Sequence, residues 1–180
     1  MTSEIEEDNP QYLHPVSQRR PWLRYWARTI DLMISIFVFG LVASIAFPAV
    51  LEIDDKVFGY VFLLAYTIIE SVMMNSFGTT PGKALLNIRL QKRGGGRLSL
   101  IEAFVRSVSV TVYGMGVGIP VITLATHFVA YRTLTRTGST SWDRAGGYSI
   151  THGTVGLLRS VVACSIVGSF IALIVFLPDE

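Results

Sequence analysis

The sequence predicts an all-α polytopic membrane protein: a bundle of transmembrane helices with a small cytoplasmic β element. Three observations predict it. The chain is 51% hydrophobic and only 16% charged, with a mean hydropathy of +0.49, whereas soluble domains average about 25% charged residues. Its apolar residues gather in runs long enough to cross a hydrocarbon core of about 30 Å. Its basic residues gather in the short connections between those runs, where they set topology.

The acidic N-terminus, MTSEIEEDNP, lacks the basic and apolar regions of a signal peptide. Residues 1–17 read as a disordered tail. A membrane domain then covers residues 18–154, and an additional transmembrane helix covers 155–178. Cys164 is the single cysteine, so one chain has no disulfide framework.

The first helix is expected over about 22–51. Trp22, Tyr25 and Trp26 stand at its start, where amphipathic rings favour the headgroup level. The second helix is expected over 57–77. Only five residues, EIDDK, separate the two spans, so they form an antiparallel hairpin. A third apolar region, about 99–131, is interrupted by GMGVGIP at Gly114–Pro120.

Loop charge places the N-terminus and loop 78–98 in the cytoplasm, for both are rich in Arg and Lys. The loop after the third region is also basic, with Arg132, Arg136 and Arg144. A single crossing would put that loop outside. A break at GMGVGIP instead turns the region back as two short helices on the cytoplasmic side, and the charge bias favours this reversal over four simple crossings. Between the spans, Leu86, Ile88 and Leu90 alternate with Asn87, Arg89 and Gln91, the period of a strand. GGYSITHG is a second strand candidate.

Buried charge supplies the candidate site. Arg24 and Asp31 lie two helical turns apart on one face, and Arg28 and Asp31 are close enough to touch. A carboxylate within an apolar span costs about 2.5–3.5 kcal/mol to insert, so it needs a partner or a function. The same holds for Glu70 in the second span. Antiparallel pairing brings Asp31 near the height of Asn75, so Asp31, Asn75 and Glu70 are expected to line one polar pocket open to the cytoplasm. Arg106 is a counter-ion candidate for Asp31, or a side chain reaching lipid phosphate. Asp143 stands in SWDRAGGYS. His127 reads as a hydrogen-bonded packing residue.

GTTPGKA, Gly78 to Ala84, resembles a phosphate-binding loop but fails as one. Three residues rather than four separate its glycines, Ala84 follows Lys83, and a helix rather than a strand precedes it. No nucleotide site is read there. Gly78 is expected to cap the second helix, and Pro81-Gly82 to make a turn. Lys83 is expected at the interface, near lipid phosphate or helix-end carbonyls. No spacing supports a metal site, a cofactor or an enzyme's nucleophile–base pair, and no internal repeat is evident. The basic loops are accounted for by the bilayer without nucleic acid.

Taken in order, these segments resemble the RDD family of bacterial membrane proteins. RYWARTID matches its first helix, with Arg24, Ala27 and Asp31. GTTPGKALLNIRLQKRGGGRLSLIEAFVR matches its Thr-Pro-Gly-Lys loop, strand and later arginine, Arg106. SWDRAGGYSIT matches its late Asp-Arg segment, with Asp143 as the second aspartate. Trp142 stands where the family usually has His, and Ala-Gly-Gly-Tyr replaces Leu-Ala-Gly-Thr. The resemblance implies a multi-pass membrane domain proposed to transport an unidentified solute, with some members linked to cation/proton exchange. Two functions follow as expectations. One is an inner-membrane transporter or cation/proton exchanger that works as a homo-oligomer on a small cation or proton. The other is a non-transporting scaffold, assembly factor or sensor that binds a partner protein.

Overall fold

The computed structural model describes residues 20–176. The tail 1–17 and the final Pro-Asp-Glu lie outside them. Three helices are long and apolar enough to cross a membrane: α1 (Pro21–Ala46), α2 (Asp55–Phe77) and α7 (Leu157–Phe176). α1 has Pro21 at its first position, where a missing N–H costs nothing. It stops at Ala46, short of the expected residue 51, because Pro48 disfavours helical backbone at Phe47. A 3-10 turn, Pro48–Glu52, follows. The Asp54 side chain accepts the Lys56 and Val57 N–H groups and starts α2. Gly78 ends α2 in the left-handed region, at φ 70°.

The third apolar region is a helical hairpin. α4 (Leu100–Tyr113) and α5 (Pro120–Thr137) are joined by a glycine-rich turn at 114–119. α5 runs past the expected residue 131. α4 begins in a capping box, with Ser99 and Glu102 each accepting the other's backbone N–H. The strands β1 (Ile88–Lys92) and β2 (Tyr148–His152) pair antiparallel, with Leu90 opposite Ile150. Because β1 precedes α4 and β2 follows α5, the hairpin leaves the ribbon end and returns to it. Both basic loops therefore lie at one end of the bundle.

The hairpin reaches only half the depth of α2. Its turn packs on α2, and Met115 shares the Arg28 guanidinium with Tyr66. Thr111 and Thr67 meet at 3.1 Å. Tyr66 is the middle residue of α2, about 16 Å from either end at 1.5 Å per residue.

The chain also contains a duplication that the sequence reading did not find. α2 leads through Gly78 into α3 (Pro81–Leu85) and β1; α5 leads through Gly138 into α6 (Ser141–Ala145) and β2. The two segments correspond element by element, in sequence position, with an offset of 60. Gly78 and Gly138 are both left-handed helix ends, at φ 70° and 76°. Thr80 and Thr140 both stand at the N-cap position of a five-residue helix, each with its hydroxyl turned to an aspartate. Asn87 and Gly147 both turn through positive φ into a strand. Even the closing bonds match: Gly153 N–H to the Asn87 carbonyl, and Arg93 N–H to the Gly147 carbonyl. Leu90 and Ile150 are at once equivalent positions and cross-strand partners, so a pseudo-two-fold axis passes between them.

The core sits at the ribbon end. Ile88, Leu90, Tyr148 and Ile150 pack with Ala27 and Ile30 of α1, Met74 of α2, Ala103 of α4 and Ala163 of α7. Away from it, the outer half of α1 is apolar and mostly exposed, from Phe37 and Val38 to Ile45. Of the small residues of α7, Ala163 packs on the core, while Cys164 is exposed and Gly168 faces open space.

Candidate functional site

Each repeat ends in a catch that fastens its short helix to a long one. In the first, Asp31 of α1 is 2% exposed. It accepts the Thr80 hydroxyl at 2.5 Å and the Gly82 N–H at 2.6 Å. Gly82 is needed for this approach, since a β-carbon there would meet the Ala27 carbonyl oxygen at 2.3 Å. Lys83 is buried, not interfacial as expected. Its Nζ lies 2.8 Å from Glu70 Oε1, 3.1 Å from Thr80 Oγ1 and 3.7 Å from Asp31 Oδ2. The first turn of α3 points it into the bundle, where two carboxylates outbid lipid phosphate. Glu70 completes the chain through Arg28, at 3.0 Å, and Arg28 also reaches the Tyr66 hydroxyl at 3.2 Å.

The second catch repeats the geometry with the charges inverted. Asp143 holds the place of Lys83 on its short helix, and like Lys83 it meets the capping threonine: Thr140 donates to Asp143 Oδ2 at 2.6 Å. Its partner on the long helix is a cation, Arg106 of α4. Arg106 Nε and Nη2 both donate to Asp143 Oδ1, at 3.0 and 2.9 Å. Arg24 of α1 reaches Asp143 Oδ2 at 3.5 Å. Trp142 occupies the position equivalent to Gly82, and its ring lies near Gly114 at the hairpin turn.

Three expected pairings are therefore redistributed. Arg24 turns to Asp143 and Arg28 to Glu70 rather than to Asp31. Arg106 is the counter-ion of Asp143, not of Asp31. Asn75 stands outside the cluster, donating to the Leu98 carbonyl at 2.9 Å and tying α2 to the segment before α4. His127 Nδ1 donates to the Thr123 carbonyl at 2.8 Å, and its ring stacks edge-on against Tyr25. With Trp22, Trp26 and Tyr131 these rings form a belt around the ribbon end. Among the described residues, no group of three or more His, Cys, Asp or Glu gathers to hold a metal ion.

The sequence model of the RDD family matches residues 19–147, most of the chain and all of both catches. The chain belongs to the RDD family. With its apolar helices, this makes it a membrane protein. No curated protein and no solved structure matches it. The RDD match covers the first repeat and the second as far as the turn before β2, so β2 and α7 lie beyond it. Within the RDD domain, its arginine and two aspartates belong to two different catches, which sequence spacing alone does not separate.

Proposed function

We propose that this RDD protein is a multi-pass protein of the inner (plasma) membrane that exchanges small ions across it, its N-terminus and β-ribbon cytoplasmic. The reading is carried by one observation: buried ion pairs fasten each of two internal repeats to the long helices around it, beside a hairpin that stops at half depth. Carriers built from repeats place their sites near interrupted helices. Ionisable groups within a membrane mark ion paths more often than not. The single-ended arrangement of the basic loops supports the cytoplasmic orientation.

Within this reading Lys83 is an internal cation. Oxygens of Glu70, Thr80 and Asp31 surround its ammonium. A small cation takes that seat when Lys83 leaves it, and protonation of Asp31 or Glu70 favours the departure. Cation and proton then compete for the same carboxylates. One chain supplies few spans, so a homo-oligomer completes the pathway.

The second reading, a scaffold, assembly factor or sensor binding a partner protein, is favoured by the saturation of all three carboxylates in ion pairs. Sodium and proton flux in vesicles containing the purified protein separates the two. Exchange predicts flux in the wild type and its loss in a folded Asp31→Asn variant. Absence of flux in both, with Asp31→Asn only less stable, supports the scaffold.

A further inference from the structure

α5 carries a stripe that neither catch uses. Val121, Leu124 and Phe128, then Arg132 and Arg136, follow one another on a single face of the helix, and all are exposed. The helix has no Asp or Glu. Neither arginine makes an ion pair among the described residues. The Arg132 guanidinium lies over the Phe128 ring, 4.7 Å from its centroid, and the ring holds it in place. Among the described residues, no other exposed arginine has such a seat, since Arg28 over Tyr66 is part-buried.

Depth decides what meets this stripe. α5 starts at Pro120, beside the hairpin turn at half depth. About ten residues at 1.5 Å each then cross the remaining half of a hydrocarbon core of about 30 Å. Val121, Leu124 and Phe128 therefore face acyl chains, and Arg132 and Arg136 emerge among the headgroups. The aromatic rings agree with this placement. Tyr131 lies 6.3 Å from Trp22 at the start of α1, and both are exposed, as rings at the headgroup level are. Arginines four residues apart on a helix stand about 5–6 Å apart at their β-carbons, so both guanidinium groups reach one phosphate.

We infer that this stripe binds one anionic phospholipid of the leaflet at the ribbon end, its phosphate between Arg132 and Arg136 and an acyl chain along Phe128, Leu124 and Val121. The site differs from the diffuse attraction of a leaflet for basic loops, because ring, arginine pair and apolar track act at one place. Only the membrane placement of α5 is needed, and ion exchange is not, because the readout is binding rather than flux.

The test is thermal unfolding of the detergent-purified full chain at constant ionic strength. It is titrated with dioctanoyl phosphatidylglycerol, dioctanoyl phosphatidylcholine or inorganic phosphate. Wild type is expected to show a saturable rise of several degrees with phosphatidylglycerol alone, since a ligand bound only by the folded chain raises the midpoint. Arg132→Gln with Arg136→Gln loses the rise but keeps the lipid-free midpoint, because both side chains are exposed. Phe128→Leu keeps the apolar track, removes the seat of Arg132 and weakens the response several-fold. Arg89→Gln with Arg159→Gln removes the same charge from two other exposed positions and keeps the full rise. An equal rise with phosphatidylcholine or inorganic phosphate, no saturable rise with phosphatidylglycerol, or an equal loss in the two double variants overturns the inference.

Discussion

Lys83 shows how a single residue decides between two accounts of its loop. The turn Pro81-Gly82 was legible in the sequence, but the direction in which it launches Lys83 depends on Gly82 pressing against α1 at Asp31. Those residues are about fifty positions apart, and spacing within one helix carries no trace of the contact. The same blindness assigned Arg24 to Asp31, seven residues away, when its carboxylate is 119 residues away in Asp143. Removing one member of a buried ion network strands its partners, at a cost of about 3–5 kcal/mol. Lys83→Met is therefore expected to destabilise strongly, by thermal or denaturant unfolding in detergent. Lys83→Met with Asp31→Asn leaves the Arg28–Glu70 pair balanced, so the double variant is expected to be more stable than the single one.

His152 adds a pH dependence at the same scale. Burial, then the charges of Arg24 and Arg20, lower its pKa from 6.5 to about 4. The unfolded chain takes up a proton near pH 6.5, and the folded chain only near 4. This residue's contribution is thus complete above pH 6.5 and is lost progressively as pH falls toward 4. The unfolding midpoint of wild type is expected to drop more steeply over that window than that of His152→Asn. Parallel curves would contradict this account of the residue.

At the scale of elements, the break in the third apolar region was readable because three glycines and a proline within seven residues cannot sustain a helix. The strands were readable from their alternation, though as isolated candidates rather than as partners. The 3-10 turn after α1 and the five-residue helices α3 and α6 were not read. They are too short for a periodic signal, and tertiary contacts hold them. The hairpin turn carries one mark of strain: Val117, a β-branched residue, sits at φ 56° between two glycines of positive φ. Val117→Gly is expected to raise stability by up to about 1 kcal/mol, because relief of the left-handed strain outweighs the added chain entropy. A fall in stability would mean that the valine side chain holds the turn.

For the whole molecule, the duplication explains what the elements alone do not. Over residues 78–92 and 138–152 only two positions are identical, Gly78 with Gly138 and Thr80 with Thr140. The backbone path needs little more: a left-handed helix end, a cap, a positive-φ turn and a strand with one apolar face. Everything else was free to diverge, and inversion of charge at positions 83 and 143 hid the relationship further. A parallel duplication also resolves the loop-charge conflict, since its symmetry puts both connecting loops at one end.

That arrangement underlies the ion-exchange reading, and accessibility tests it directly. In a Cys164→Ser background, single cysteines replace Gly94, in the first loop, and Arg136, at the end of α5; both positions are exposed. A membrane-impermeant maleimide is predicted to spare both in intact cells and to label both in inside-out vesicles. Labelling of the cysteine at 136 from outside, with that at 94 protected, would contradict the paired repeats.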